Sequence, residues 1–104
     1  IFGDGTQCRD FIFVKDLVNI LNDSLTNPDM PGNMYNAGTG KETTLLDIIA
    51  SFEKLTGKKA QVDWCHERRG DIKKSVADIE LLNKVYKNEK FYTIEQGLEF
   101  LLNT

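Results

Sequence analysis

Two arginine-containing segments carry the most distinctive chemistry in this sequence. Arg9 follows the turn signal Gly3–Gly5 and precedes Asp10, and a second run, Arg68–Asp71, begins about sixty residues later. Each segment places arginine beside turn-forming residues and a carboxylate. A guanidinium presents planar, paired N–H donors that match the oxygens of a phosphate. Two such groups converging on one spot would suit a diphosphate, so the pair means more than either segment alone.

Each arginine also has a purely structural interpretation. Arg9 could form an ion pair with Asp10 or Asp16, and Arg68 could pair with Asp71. Taken singly, an arginine in a loop is more often structural or solvated than ligand-binding. The two segments therefore point to a ligand only if the chain between them folds so that they meet.

The first half of the chain has alternating strand and helix patterns. The segment 9–14 is rich in apolar residues and predicts a strand. An amphipathic helix follows, because apolar residues recur at helical spacing at Val14, Leu17, Val18, Leu21 and Leu25. Two prolines and a glycine in 27–32 end this helix. Met34–Ala37 predicts a short buried strand, closed by the tight turn Gly38–Gly40.

The second half continues the same alternation. Thr44 and Asp47 have the spacing of a capping box, which predicts a second helix that Gly57 would end. Alternating apolar residues in 60–65 predict a half-buried strand. A loop at 68–71 precedes a short helix that Asp78 could cap.

The last helix has its own start signal, since Thr93 and Gln96 have capping-box spacing. Its predicted inward residues are Ile94, Leu98, Leu101 and Leu102. Taken together, the patterns predict a small mixed α/β domain.

Composition bounds the function. The chain has 104 residues, enough for one domain, with 40% hydrophobic and 28% charged residues. A net charge of -3 argues against a general nucleic-acid binder. No apolar run approaches the roughly 18 residues of a membrane span. Cys8 and Cys65 are isolated thiols that fit a reducing cytoplasm, and a structural disulfide is the less favoured interpretation.

Four motifs in order resemble one known family. They are G-D-G-T-Q-C-R-D-F at Gly3–Phe11 with V-K-D after it, Y-N-A-G-T-G at Tyr35–Gly40, R-R-G-D at Arg68–Asp71, and S-V-A-D at Ser75–Asp78. This series resembles the extended short-chain dehydrogenase/reductase family, which comprises nucleotide-sugar epimerases and dehydratases. The resemblance runs nearly end to end. It implies that residues 1–104 are the C-terminal, substrate-binding domain of a Rossmann-type fold.

The resemblance also implies a function and a site. In such enzymes the two motif arginines grip the diphosphate of a UDP-sugar, which assigns that role to Arg9 and Arg68. Asp71 would reach the nucleoside ribose, and Arg69 and Gly70 would form the loop. The implied parent enzyme is a cytoplasmic, NAD-dependent UDP-hexose 4-epimerase, which oxidises C4, lets the 4-keto sugar rotate about its diphosphate, and returns the hydride to the other face.

Alternatives to that function stay open. The R-x-G-D form of Arg68–Asp71 is closer to UDP-glucose or UDP-N-acetylhexosamine 4-epimerases than to dTDP-glucose dehydratases. A dehydratase or another nucleotide-sugar epimerase remains the second candidate. A binding module without chemistry, or a structural fragment that depends on a missing half, is the third.

The chain departs from the family pattern at the catalytic end. The glycine-rich NAD loop, the catalytic Ser/Thr and the catalytic Tyr/Lys pair are all expected before Ile1, in an N-terminal Rossmann domain that this chain lacks. Gly38–Lys41 matches neither the Walker phosphate-loop pattern nor the G-x-G-x-x-G pattern of dinucleotide-binding loops. Tyr86 and Lys90 have the catalytic spacing by coincidence, in our interpretation. We therefore predict no catalytic, NAD-binding or metal-binding residue here. The expected partners are a UDP-sugar, the missing domain and a second copy of the chain, with no nucleic acid or membrane.

Overall fold

A central strand organises the chain. The computed structural model describes residues 1–87 and 90–104, and in them a three-stranded sheet has the order β2-β1-β3. The strands are β1 (Cys8–Arg9), β2 (Thr43–Thr44) and β3 (Lys74–Ser75). β1 pairs antiparallel with β2, with Arg9 opposite Thr43, and parallel with β3, with Arg9 opposite Ser75. The first arginine segment therefore lies between two strands that are distant in sequence.

Four helices are present in the described residues, and their bounds follow local sequence signals. They are α1 (Val14–Thr26), α2 (Leu45–Thr56), α3 (Glu80–Val85) and α4 (Ile94–Leu102). Both predicted capping boxes form: Thr44 and Asp47 exchange hydrogen bonds at the start of α2, and Thr93 and Gln96 do so at α4. Gly57 ends α2 with φ +68°, the left-handed geometry that favours glycine. The mixed α/β prediction is confirmed.

Two smaller helix predictions need adjustment. Asp78 does not occupy the N-cap position of α3, which is Ile79, although Asp78 Oδ1 accepts a hydrogen bond from the Glu80 N–H at 3.0 Å. In α4, Ile94 and Leu98 are half-buried as predicted, whereas Leu101 and Leu102 are exposed.

The core is small for a chain of this length. Among the described residues, the buried hydrophobic side chains are Ile20, Met30 and Leu82. The molecule measures 47 × 35 × 18 Å, and its radius of gyration is 16.2 Å, whereas a compact domain of 100 residues has about 13 Å. A slab this thin cannot enclose most of its apolar side chains.

Helix α1 shows this shortage of burial most clearly. The helix is confirmed, but its buried residues are Asp16 and Ile20, not the apolar stripe that the spacing predicted. Of that stripe, Leu17 is half-buried. The rest is exposed: Val14, Val18, Leu21 and Leu25. The core contacts the face of α1 that carries Asp16 and Ile20. Most of the apolar stripe therefore has no packing partner among the described residues.

Three strand predictions were wrong or too long. The predicted strand 9–14 is reduced to Cys8–Arg9, because α1 already begins at Val14. The segments 34–37 and 60–65 are not strands, although Cys65 forms an isolated parallel bridge with Phe2. A strand needs a neighbour for its backbone N–H and C=O groups. Within the described residues, no neighbouring strand pairs with 34–37.

Two further observations complete the description. Cys8 and Cys65 are free thiols. No helix among the described residues is both long enough and apolar enough to cross a membrane.

Candidate functional site

The sheet brings the two arginine segments together. Because β1 and β3 are parallel with Arg9 opposite Ser75, the loop that leads into β3 lies beside the start of β1. That loop is the second arginine segment, 68–71. The Cys8 N–H donates to the Lys73 carbonyl at 2.7 Å, which joins β1 to the residue just before β3.

One carboxylate bridges the two guanidinium groups. Arg9 Nη2 lies 3.3 Å from Asp71 Oδ1, and Arg68 Nη2 lies 3.6 Å from Asp71 Oδ2. The Asp71 side chain is 18% exposed, Arg9 33% and Arg68 62%. Arg9 thus pairs with Asp71 and not with Asp10 or Asp16, the partners that a local interpretation suggested.

Each guanidinium has a second support. Arg9 Nη1 donates to the Cys8 carbonyl oxygen at 2.7 Å. The Arg68 guanidinium lies over the Phe2 ring, 4.3 Å from its centroid, a cation–π contact. A guanidinium carries five N–H donors, which is more than these contacts use. Both arginines are therefore held in place and can still donate to an anion.

The other two predicted site residues have different positions. Gly70 has φ +80°, and this geometry lets the Asp71 N–H donate to the Arg68 carbonyl at 3.2 Å, which closes the loop. Arg69 is exposed, and none of the hydrogen bonds or ion pairs among the described residues includes it. The predicted set thus divides into a bridged cluster of Arg9, Arg68 and Asp71, a loop-shaping glycine, and an outward-facing arginine.

Two recesses flank the bridged cluster. A small one of about 160 Å³ lies on the Phe2 side and includes Asp71 and Lys73. Its Asp4 carboxyl accepts hydrogen bonds from the Thr6 hydroxyl and N–H, which lower the Asp4 pKa below its ordinary value.

The larger recess, about 650 Å³ and open, lies on the other side of Arg9. It is lined by three of the four sequence motifs: Arg9, Asp10, Tyr35, Asn36, Ala37, Gly38, Ser75, Val76, Ala77 and Asp78. Motifs far apart in sequence therefore surround one concave surface that includes Arg9.

Two side chains near the site were missed by sequence reasoning. Phe2 supports Arg68, and nothing in a lone phenylalanine at the second position signals this. Asp10 was considered only as an ion-pair partner of Arg9. In the structure its carboxylate instead accepts hydrogen bonds from Thr39, Gly40 and Ala77.

The two motifs set aside in the sequence have ordinary structural positions. Tyr86 is half-buried and packs against the core, which agrees with a packing role. The interval between Tyr86 and Lys90 includes Asn88, which lies outside the described residues. In the Gly38–Gly40 turn, the N–H groups of Thr39 and Gly40 donate to the Asp10 carboxylate. Those donors are the ones a phosphate loop would offer to a nucleotide, so this turn does not fit a cofactor phosphate.

Comparisons with known proteins identify the family. The profile of the NAD dependent epimerase/dehydratase family matches residues 1–38. A UDP-glucuronate 4-epimerase of Thermodesulfobacterium geofontis is 36% identical over 104 residues, covering 99% of this chain and 32% of that protein. The chain belongs to the NAD-dependent nucleotide-sugar epimerase/dehydratase family. It spans about a third of the length of the curated relatives it matches.

Solved structures of the family agree with the fold. The UDP-glucuronic acid 4-epimerase of Bacillus cereus, in complex with UDP-glucuronic acid and NAD, superposes with a TM-score of 0.84 at 32% identity, covering 95% of this chain and 32% of that one. An NAD-dependent NDP-hexosamine 5,6-dehydratase of tunicamycin biosynthesis gives a TM-score of 0.85 at 27% identity, with 99% and 33% coverage. The chain therefore has the fold of the matching region in Rossmann-type epimerases and dehydratases.

Proposed function

We propose that this chain supplies the UDP-sugar-binding portion of an NAD-dependent UDP-hexose 4-epimerase, in which Arg9 and Arg68 hold the diphosphate. The observation that carries the proposal is the single carboxylate of Asp71 between both guanidinium groups, at 3.3 and 3.6 Å. Two guanidinium groups that both contact one carboxylate are also close enough together to bind one diphosphate.

The electrostatics of the cluster favour an anionic ligand. Two guanidinium charges face one carboxylate charge, so the cluster of Arg9, Arg68 and Asp71 keeps a net positive charge. Charge-assisted hydrogen bonds contribute roughly 1.5–3 kcal/mol each. Arginine suits this role better than lysine, because its planar fork can engage two phosphate oxygens at once.

Holding the diphosphate does not require this chain to bind the cofactor. The solved relatives named above are complexes with NAD or NAD-dependent enzymes, and the Gly38–Gly40 turn does not fit a dinucleotide phosphate. We therefore assign NAD binding and the catalytic Tyr/Lys pair to the part of the relatives' length that this chain does not span. Asp71 is assigned to the nucleoside ribose, and Arg69 and Gly70 to the loop that presents Arg68.

A dehydratase is the second candidate for the parent activity, because the tunicamycin-pathway dehydratase has the same fold over 99% of this chain. The diphosphate grip would serve either reaction. Product analysis of the parent enzyme with a UDP-hexose and NAD separates the two, because an epimerase returns an isomer of its substrate whereas a dehydratase eliminates water.

Calorimetric titration of UDP into this chain tests the site. Arg9→Ala and Arg68→Ala should each weaken UDP binding by roughly 2 kcal/mol while circular dichroism stays unchanged. Arg9→Lys should recover only part of the loss. Lys54→Ala is the matched control, because it removes one positive charge on α2 that pairs with Glu95 away from the cluster. Equal UDP affinity in all these variants would reassign both arginines to structural ion pairs.

A further inference from the structure

Asp10 occupies a position that the proposed function leaves unexplained. It directly follows β1 and is the immediate neighbour of Arg9. Successive side chains of an extended chain point to opposite sides. In agreement, the Arg9 side chain contacts Asp71, whereas the Asp10 carboxylate contacts Thr39 and Ala77.

The Asp10 carboxylate gathers donors from two distant segments. Thr39 contributes its N–H, at 3.0 and 3.1 Å from the two carboxylate oxygens, and its hydroxyl at 2.6 Å from Oδ1. The Gly40 N–H donates to Oδ2 at 2.8 Å, and the Ala77 N–H to the same oxygen at 3.4 Å. These segments follow Asp10 by about 30 and by 67 residues. One side chain therefore joins three parts of the chain.

Packing around Asp10 leaves little freedom of position. A Cβ built on Gly38 would lie 2.6 Å from Asp10 Oδ2 and 2.7 Å from the Ala77 Cβ. Real Cβ contacts do not come so close. The carboxylate, the turn and residue 77 are thus in direct contact, and only a glycine fits at position 38.

The contact between Asp10 and Ala77 lies just beyond the strand pair that positions Arg9. Arg9 is opposite Ser75 in the parallel register, and Ala77 follows Ser75 by two residues. Binding Ala77 to Asp10 therefore holds β3 alongside β1 just past that pair. The same register determines how far Arg9 lies from Asp71, which precedes β3 in the loop.

We propose that Asp10 is the positioning residue of the diphosphate site: it fixes β1 against the Gly38–Gly40 turn and the segment after β3, and so holds the Arg9 guanidinium beside Arg68. The inference rests on the proposed function. The proposed role of Asp10 requires no contact with a phosphate. Its carboxylate acts on the ligand only through the place it gives to Arg9.

The charge of Asp10 suits this role. Partial burial raises its pKa, but hydrogen bonds from the Thr39 side chain and from the N–H groups of Thr39, Gly40 and Ala77 outweigh burial, and the pKa lies below its ordinary value. An ionised carboxylate accepts all of these donors. The Asp10→Asn side chain would turn an NH₂ group toward backbone N–H groups and leave some of them without an acceptor.

A double-mutant cycle with UDP as the probe tests the inference. Asp10→Asn should weaken UDP binding about tenfold, which corresponds to 1.4 kcal/mol. In the Arg9→Ala background the same substitution should change UDP affinity by less than about twofold, because the group that Asp10 positions is gone. Asp47→Asn is the matched control: Asp47 also accepts a backbone N–H with a lowered pKa, but at the α2 cap.

A second variant keeps the test decisive if Asp10→Asn does not fold. Thr39→Val preserves side-chain shape and removes the hydroxyl that donates to Asp10 at 2.6 Å, a hydroxyl that also accepts the Lys41 N–H at 3.2 Å. It should weaken UDP binding about threefold, again only when Arg9 is present. An equal loss with and without Arg9, or no loss in a folded variant, would overturn the positioning role. Absence of any Arg9→Ala effect would instead refute the proposed diphosphate grip, and the inference with it.

Discussion

Replacing Gly38 with alanine probes the packing around Asp10 without removing any polar group. Gly38 is buried, and its φ is not in the left-handed region, so an alanine backbone is tolerated there. The added Cβ, however, would meet Asp10 Oδ2 at 2.6 Å and the Ala77 Cβ at 2.7 Å. The cost of Gly38→Ala is therefore steric, and it falls on the carboxylate and on residue 77.

The expected loss of stability can be assembled from two contributions. Overpacking a filled site costs typically 1–3 kcal/mol. Shifting Asp10 also lengthens hydrogen bonds that contribute about 1 kcal/mol each. We expect Gly38→Ala to lower the free energy of unfolding by about 2–4 kcal/mol. For a domain of this size each kcal/mol lowers the melting temperature by roughly 4–8 °C, so thermal unfolding followed by circular dichroism measures the effect.

Two further variants test whether the loss of stability in Gly38→Ala comes from the close contacts: one is a control and the other should restore stability. Gly57 has φ +68° and open space around a built Cβ, so Gly57→Ala should cost only the left-handed strain of about 1–2 kcal/mol. Ala77→Gly in the Gly38→Ala background removes one of the two close contacts and should restore part of the stability. If Gly38→Ala were as stable as the unsubstituted chain, or if Ala77→Gly restored none of the loss, the close packing that fixes Asp10 would be refuted.

Three other predictions follow from the structure. Hydrogen bonding outweighs burial and lowers the Asp10 pKa below its ordinary 3.8, so the stability that Asp10 contributes is present above that value and is lost as the pH falls through the folded-state pKa. Asp10→Asn should therefore lose less stability on acidification than the unsubstituted chain. Identical curves of stability against pH would contradict the assignment. The exposed stripe of α1, together with the first fifteen residues, should drive concentration-dependent self-association, which light scattering should detect and Val18→Lys should weaken; a monomer at all concentrations would contradict this. The chain with added NAD should not epimerise UDP-galactose, and turnover above a buffer blank would reinstate Tyr86 and Lys90 as catalytic candidates.

The sequence predicted those features whose signals are local. The capping boxes at Thr44 and Thr93 and the glycine cap at Gly57 each depend on residues within one helical turn, and all three form as predicted. Strands were predicted poorly because pairing is decided elsewhere in the chain. β1 is only Cys8–Arg9, since its neighbours are two-residue strands from positions 43 and 74 onward.

The candidate site also contains features that the sequence predicted and one that it did not. Motif residues indicated that Arg9, Arg68 and Asp71 belong together, and the structure brings them into one cluster. The role of Asp10 could not be predicted, because its partners lie about 30 and 67 residues away and, apart from the Thr39 hydroxyl, are backbone N–H groups, which leave no mark on residue type.

Phosphorus-31 NMR of UDP in the presence of this chain tests the central claim most directly, because it observes the diphosphate itself. If Arg9 and Arg68 grip the diphosphate, both phosphorus resonances should shift as the chain is added, and the shifts should largely disappear in the Arg9→Ala, Arg68→Ala double variant. Lys54→Ala should leave them unchanged. Unmoved phosphorus resonances alongside shifted uracil protons would contradict the account, because UDP would then bind without its phosphates being held.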